Sequence, residues 1–235
     1  MKTTRGALLA GAAAVALLAA GQAAYALEGD PYFSIAGGLN FVPPMTLNST
    51  TSPLSASPRV LDFDTGVAGS VAAGHSFGGN FRAEGELSFR WNGLGMVTVQ
   101  GEGTATLNSG SVAAFGIMAN GWFDIPTATR VTPYVGGGVG AARVSLKMDT
   151  DVTGAPCSCQ ELDISASDWA LAYQLGAGVA VGLHNGATLT FDYRFFGTGG
   201  LSLPYTGTST GTATTRYTAH SAMIGLRVPI HVSGN

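Results

Sequence analysis

From Phe81 to Trp91 the chain alternates without a break: Phe81, Ala83, Gly85, Leu87, Phe89 and Trp91 take one side of an extended strand, and Arg82, Glu84, Glu86, Ser88 and Arg90 the other. A repeat of two residues is strand geometry, and a helix repeating every 3.6 residues would mix the two sets. The same period recurs along the chain. Residues 32–41 set Phe33, Ile35, Leu39 and Phe41 on one face, and residues 61–77 set Leu61, Phe63, Val67 and Val71 against Asp62 and Asp64. Residues 111–124 set Phe115, Ile117 and Phe123 against Asn120 and Asp124, and residues 132–147 set Tyr134, Val144 and Leu146 against Arg143 and Lys147. Residues 167–183 carry Trp169, Leu171, Tyr173, Leu175, Val179, Val181 and Leu183 opposite small residues and Gln174. Residues 187–197 carry Leu189, Phe191, Tyr193 and Phe195 opposite Asp192 and Arg194, and 215–230 carry Ile224, Leu226, Val228 and Ile230 opposite Arg227. About eight strands result.

Which face looks outward follows from the supply of charge. Only 11% of residues are charged, against a typical ~25%, too few to cover a water-soluble surface of this size. The apolar faces are therefore expected to point outward, into lipid. Lys2 and Arg5, the apolar run from Ala7 to Ala20 and the sequence Ala24-Tyr25-Ala26 read as a cleaved signal peptide over residues 1–26. Its removal leaves nine basic against fourteen acidic residues, which speaks against nucleic acid as a partner. Beyond residue 26 no apolar stretch is long enough for a membrane helix. Spanning by strands requires a closed barrel, because lipid-exposed backbone must be fully paired. The expected fold is all-β: an eight-stranded antiparallel up-and-down transmembrane β-barrel over residues 27–235.

The connections support that reading by alternating in length. Short ones fall at 78–80, 125–131 and 184–186, and long ones, rich in Ser, Thr, Gly, Asn or Pro, near 42–60, 92–110, 148–166 and 198–214. Short periplasmic turns alternating with four long extracellular loops are the outer-membrane pattern. Aromatics near strand ends, Tyr134 and Phe77 at the short-turn end and Trp91 and Trp169 at the long-loop end, are expected to form interfacial girdles.

With apolar faces outward, the charged faces share a lumen. The expected network is Arg82, Arg90, Arg143, Lys147, Arg194 and Arg227 against Asp62, Asp64, Glu84, Glu86, Asp124 and Asp192. Charges withdrawn from water need partners, and eight strands leave room for packed side chains and little else. Such a network would plug the barrel.

These segments resemble the opacity-protein and outer-membrane-protein-A-like barrels, surface antigens of Gram-negative bacteria. The resemblance rests on DPYFSIAGGLNF (30–41), GHSFGGNFRAEGELSFRW (74–91), MANGWFDI (118–125), TPYVGGGVGAARV (132–144) and SAMIGLRVPI (221–230). It implies a barrel-only protein of the outer membrane, in contact with membrane lipid, lipopolysaccharide and the barrel insertion machinery. The chain ends His231-Val232-Ser233-Gly234-Asn235, where such barrels usually finish on an aromatic that the machinery recognises.

Other constellations have bland readings. Glu84 and Glu86 share their face with Arg82 and Arg90, which makes pairing a better account than acid–base chemistry. His75-Ser76 and His220-Ser221 suggest lipid A deacylase pairs, but adjacent strand residues point to opposite faces. Gly136, Gly138 and Gly140 mimic a dinucleotide fingerprint without the helix it needs. Cys157 and Cys159, in the third long loop, form either a tight, strained disulfide or mere loop decoration. No cofactor, metal or catalytic residue is expected, and the chain is read as a non-enzyme. The expected role is structural or surface-interacting, an antigen or adhesin whose loops meet a host or matrix ligand. The alternatives are a small channel for ions or solutes and, more weakly, a lipid-modifying barrel enzyme.

Overall fold

The computed structural model describes residues 29–48, 59–99, 103–106, 109–149, 162–183, 186–207 and 210–230. The signal-peptide reading of residues 1–26 and the pairing of Cys157 with Cys159 lie outside the described residues. In chain order the strands are β1 (Gly29–Phe41), β2 (Met45–Leu47), β3 (Arg59–Phe63), β4 (Gly66–Phe77), β5 (Phe81–Val99), β6 (Gly103–Thr106), β7 (Ser109–Asp124), β8 (Val131–Asp149), β9 (Leu162–Gly182), β10 (Thr188–Thr198), β11 (Leu201–Gly207), β12 (Gly211–Thr215) and β13 (Thr218–Pro229). Eight of them, β1, β4, β5, β7, β8, β9, β10 and β13, pair antiparallel, each with the next, and β13 returns to β1. The result is a closed up-and-down barrel without an edge.

At one end the connections are tight. Phe77 pairs with Phe81 across a turn in which Gly79 and Asn80 take φ of 81° and 66°, the left-handed region that glycine and asparagine tolerate best. Around this end and the middle of the barrel the outer wall is apolar, with Phe33, Ile35, Leu87, Phe89, Val135, Leu171, Leu175, Phe191, Ile224 and Leu226 all exposed. Their strand neighbours point inward and are polar or small: Tyr32, Asn40, Arg82, Glu84, Glu86, Arg90, Asn120, Gln174, Asp192 and Arg194 are buried. The two-residue period of the sequence is thus an inside-out barrel wall.

At the other end the wall continues past this belt as a second storey. β3 pairs with the upper half of β5, β2 with β3, and β11 with β12. Two backbone hydrogen bonds between Asn48 and Thr214 join β2's end to β12. Here the polarity is reversed. β11 buries Leu201, Leu203 and Tyr205 and exposes Ser202, Pro204 and Thr206, while β2 buries Met45 and Leu47 around an exposed Thr46. These side chains join Leu61, Leu94, Val97, Val112, Val144, Leu146, Met148, Phe196 and Tyr217 in one apolar core inside the barrel. The lower wall borders an apolar surround and the upper wall borders water, so the same alternation serves opposite faces.

This reversal corrects several expectations. The segments read as long loops are partly strand, because β2, β6, β11, most of β12, the first two residues of β3 and the upper reaches of β5, β8 and β9 fall within them. Leu61, Val144 and Leu146, expected to face outward, are fully buried inside. Tyr134, expected in an outer girdle, also points inward and is 3% exposed, because β8's outer row is Val131, Val135 and Val139. Residues 61–77 form two strands rather than one, since the chain leaves β3 for the lower wall between Phe63 and Gly66.

Candidate functional site

Two places gather charge: the lower lumen and the outer face of β8. In the lumen, β5 brings Arg82, Glu84, Glu86 and Arg90 onto one inward row. Arg82 forks onto Asp124 at the end of β7, with Nε 2.7 Å from Oδ2 and Nη2 2.9 Å from Oδ1. The pairing is bidentate, the geometry that suits guanidinium and carboxylate. Its Nη1 also donates to the Tyr32 hydroxyl (3.2 Å), which in turn donates to Glu84 Oε2 (3.0 Å). Glu84 Oε1 accepts from Trp122 Nε1 (2.7 Å) and Asn120 Nδ2 (3.2 Å). Glu86 accepts from Arg194, from Asn120 Nδ2 (3.3 Å) and from Gln174 Nε2 (3.3 Å). Asp192 accepts from the Tyr134 hydroxyl and from Thr190 (3.2 Å) and lies 3.9 Å from Arg194. Arg227 sits against the rings of Tyr32 and Tyr134, 5.3 and 5.7 Å from their centroids.

Arg90 is the exception in this row. It is 1% exposed, donates to Ser88 Oγ (3.0 Å) and lies 3.9 Å from the centre of the Phe196 ring, with no carboxylate in ion-pair contact among the described residues. It marks the boundary where the polar lumen meets the apolar core. Beside it Asn40 and Asn92 clasp each other, and Ser221 donates to Asn40 (2.7 Å). Burial pushes the phenol of Tyr217, on the core side, up to about 12, partly offset by the charge of Arg90 and a hydrogen bond from Asn40.

Glycines on β8 and β9 make room for these side chains. A Cβ on Gly136 or Gly176 would meet the Trp122 ring, one on Gly138 the Asn120 amide, and one on Gly178 the Tyr134 ring. Gly136 and Gly138 therefore form no phosphate loop but are the recess facing the network.

At the tight-turn end a mouth of about 550 Å³ opens between Asp124, Arg130, Thr132, Thr188 and Arg227. Inward of it, the free space among Arg82, Glu84, Trp122, Asp192 and Arg194 shrinks to about 20 Å³, on the scale of a single water.

Of the residues read as one network, the structure brings Arg82, Glu84, Glu86, Arg90, Asp124, Asp192, Arg194 and Arg227 into the lumen. The other four are elsewhere. Asp64 is exposed between β3 and β4, and Asp62 is half-buried on β3 beside Met96, both past the apolar belt. Arg143 and Lys147 are exposed on the outer face of β8. The reason is common to all four: in the second storey the polar face is the outer one. Sequence reasoning missed Tyr32, Tyr134 and Trp122 as partners of the network. Trp122 was legible there, since it shares its parity with Asn120 and Asp124. His220 faces outward, its Nδ1 2.7 Å from the Tyr193 hydroxyl, while Ser221 faces inward onto Asn40.

The sequence matches the family described as "Outer membrane protein beta-barrel domain" over residues 10–228. An uncharacterized protein of Brucella abortus is 37% identical over 81 residues, 33% of this chain and 28% of the relative, and a Brucella suis protein matches to the same extent. The match thus spans under a third of those relatives' length. Among solved structures, the outer membrane protein OprG from Pseudomonas aeruginosa superposes with a TM-score of 0.50 at 14% identity, covering 86% of this chain and 98% of that one. A major outer membrane protein from Thermus thermophilus gives 0.51 at 12% identity, covering 85% and 99%. The Escherichia coli outer membrane protease OmpT gives 0.51 at 6% identity, covering 86% and 97%. At these identities the likeness is one of fold.

Proposed function

The chain belongs to the outer membrane protein beta-barrel domain family, and from that premise we propose that it is a sealed surface scaffold whose hairpin end displays loops to the exterior. The barrel lies in the Gram-negative outer membrane with its apolar belt in lipid. The tight-turn end faces the periplasm, and the second storey with its long connections faces outward, the orientation usual for such barrels.

The observation that carries this reading is the close packing of the described interior side chains. The free space among the charge-paired lumen residues is about 20 Å³, and above them the described residues include an apolar core. Both layers stiffen the wall, and a rigid wall is what positions variable loops for binding. The strands of the second storey from which the long connections depart stand past the apolar belt.

The test is to replace each long connection in turn with a short Gly-Ser linker and score attachment of expressing cells to host-cell and matrix surfaces. At least one replacement is expected to abolish attachment while the barrel still folds. If none changes attachment, the interaction role fails and a purely architectural one stands.

A further inference from the structure

We propose that the recess at the tight-turn end of the barrel is a binding site for a terminal phosphate dianion, held between Arg130 and Arg227. That the ligand comes from the periplasm rests on the orientation given above.

The recess follows from the size of the inward-facing residues. Arg130 and Thr132 stand at the start of β8, Thr188 at the start of β10 and Arg227 near the end of β13, while β9 places only Ala180 and Gly182 between them. Thr132 pairs with Ala180, and Thr188 pairs with both Gly182 and Arg227. Two guanidinium groups and two hydroxyls thus surround a wall made of one methyl group and one hydrogen. The space left is the mouth of about 550 Å³, within the range of about 300–1,000 Å³ usual for small-molecule sites. Deeper in, the free space is about 20 Å³, so an entering ligand stops at the mouth.

The backbone here is tied down. Gly182 donates its N–H to the Arg130 carbonyl at 3.0 Å. The Thr129 hydroxyl donates to the Val131 carbonyl (3.2 Å) and accepts from the Val131 N–H (3.1 Å). Arg130 is therefore fixed beside β9, and its side chain is the part left to meet a ligand.

Charge at the mouth is unbalanced. Arg130 is exposed and Arg227 half-buried, and neither makes an ion pair among the described residues. Arg227 has the rings of Tyr32 and Tyr134 beside it, which leave its charge uncancelled. Asp124 borders the same recess, but both its oxygens already accept from Arg82, at 2.7 and 2.9 Å. Asp30 is exposed on β1 and lies outside the lining. Two cations thus line one recess with no free carboxylate among its described lining residues, and an anion entering it gains attraction from both.

A terminal phosphate matches these donors. Near neutral pH it carries about −1.5 to −2 charges and three acceptor oxygens. Guanidinium forks suit those oxygens, and the Thr132 and Thr188 hydroxyls add further donors. A carboxylate brings half the charge and one oxygen fewer. The open side of the recess leaves room for the rest of an ester.

The test is isothermal titration calorimetry of the protein folded in sugar-detergent micelles, in low-salt buffer free of phosphate. Inorganic phosphate and glycerol phosphate are each expected to bind at a single site, and acetate roughly tenfold more weakly. The tighter of the two phosphates names the source, free ion or ester. The double variant R130Q/R227Q is expected to bind both roughly tenfold more weakly. Gly182→Phe should do the same with both cations in place, since a Cβ there meets only the Arg130 carbonyl, at 3.9 Å, and the ring fills the recess. Arg143→Gln, which removes an exposed cation from the outer face of β8, should leave binding unchanged. Faster gel migration before boiling than after verifies that each variant is folded. Absence of binding by the intact protein, acetate binding as tight as phosphate, undiminished binding by the double variant or by Gly182→Phe, or an equal loss in Arg143→Gln overturns the site. An epitope inserted between residues 154 and 155 and probed on intact cells tests the orientation separately. Surface labelling without phosphate binding defeats the site alone, and phosphate binding without labelling defeats the periplasmic source alone.

Discussion

Arg194 and Arg90 are both buried guanidinium groups in the lumen, yet their removal should cost very different amounts. Arg194 bonds Glu86 and lies near Asp192, so Arg194→Met leaves carboxylates withdrawn from water with no cation to answer them. Breaking such a pair costs about 3–5 kcal/mol. Arg90 has only Ser88 and the Phe196 ring as direct partners among the described residues. Arg90→Met fills the same space, abandons no bonded carboxylate and should cost at most about 1–2 kcal/mol. Urea unfolding of the two variants in detergent micelles measures the difference, and equal losses would contradict the pairing. Gly178 gives a steric counterpart. A methyl group there would overlap the Tyr134 ring and the backbone carbonyl of Phe191, so Gly178→Ala should destabilise by about 1–3 kcal/mol in the same assay.

At the scale of the element, one strand passes through two surroundings. On β9, Leu175 sits at mid-belt, 62% exposed, while Ser165 is exposed beyond the belt. Leu175→Arg should cost about 2–4 kcal/mol, the penalty for a cation at the bilayer midplane. Ser165→Arg should stay within about 0.5 kcal/mol. Folding titrations of the two variants into lipid vesicles check this, and similar costs at both positions would move the belt. The same passage explains what the sequence could disclose. β5 was legible because its inward row is mostly charged and its outward row has no polar side chain for eleven residues together. β8 was not, because its apolar set changes parity, from Val131, Val135 and Val139 outside to Val144, Leu146 and Met148 inside. Glycines 136–138 cover the approach to that change and leave no alternation to follow. Read as one strand with one apolar face, β8 sends Arg143, Lys147 and Tyr134 to the wrong side. A change of parity without a bulge was the available sign. Short strands such as β11, with Leu201, Leu203 and Tyr205 against Ser202 and Thr206, carried a good alternation that their Gly- and Thr-rich flanks disguised as loop.

At the scale of the whole molecule, the barrel is a lipid-soluble wall below and a water-soluble one above, made from the same closed sheet. The polar lumen and the apolar core meet at Arg90, Asn40 and Asn92, and the proposed sealed scaffold requires that neither layer offer a continuous path. A closed eight-stranded barrel should keep its folded form in cold detergent and migrate faster on a gel before boiling than after. The most direct test of the sealed interior is electrical. The purified protein, inserted into a planar bilayer, should show no stepwise conductance above membrane leak across the usual range of voltages. Stable open-channel steps from the intact barrel would contradict the account and make the mouth between Arg130 and Arg227 the entrance of a pore.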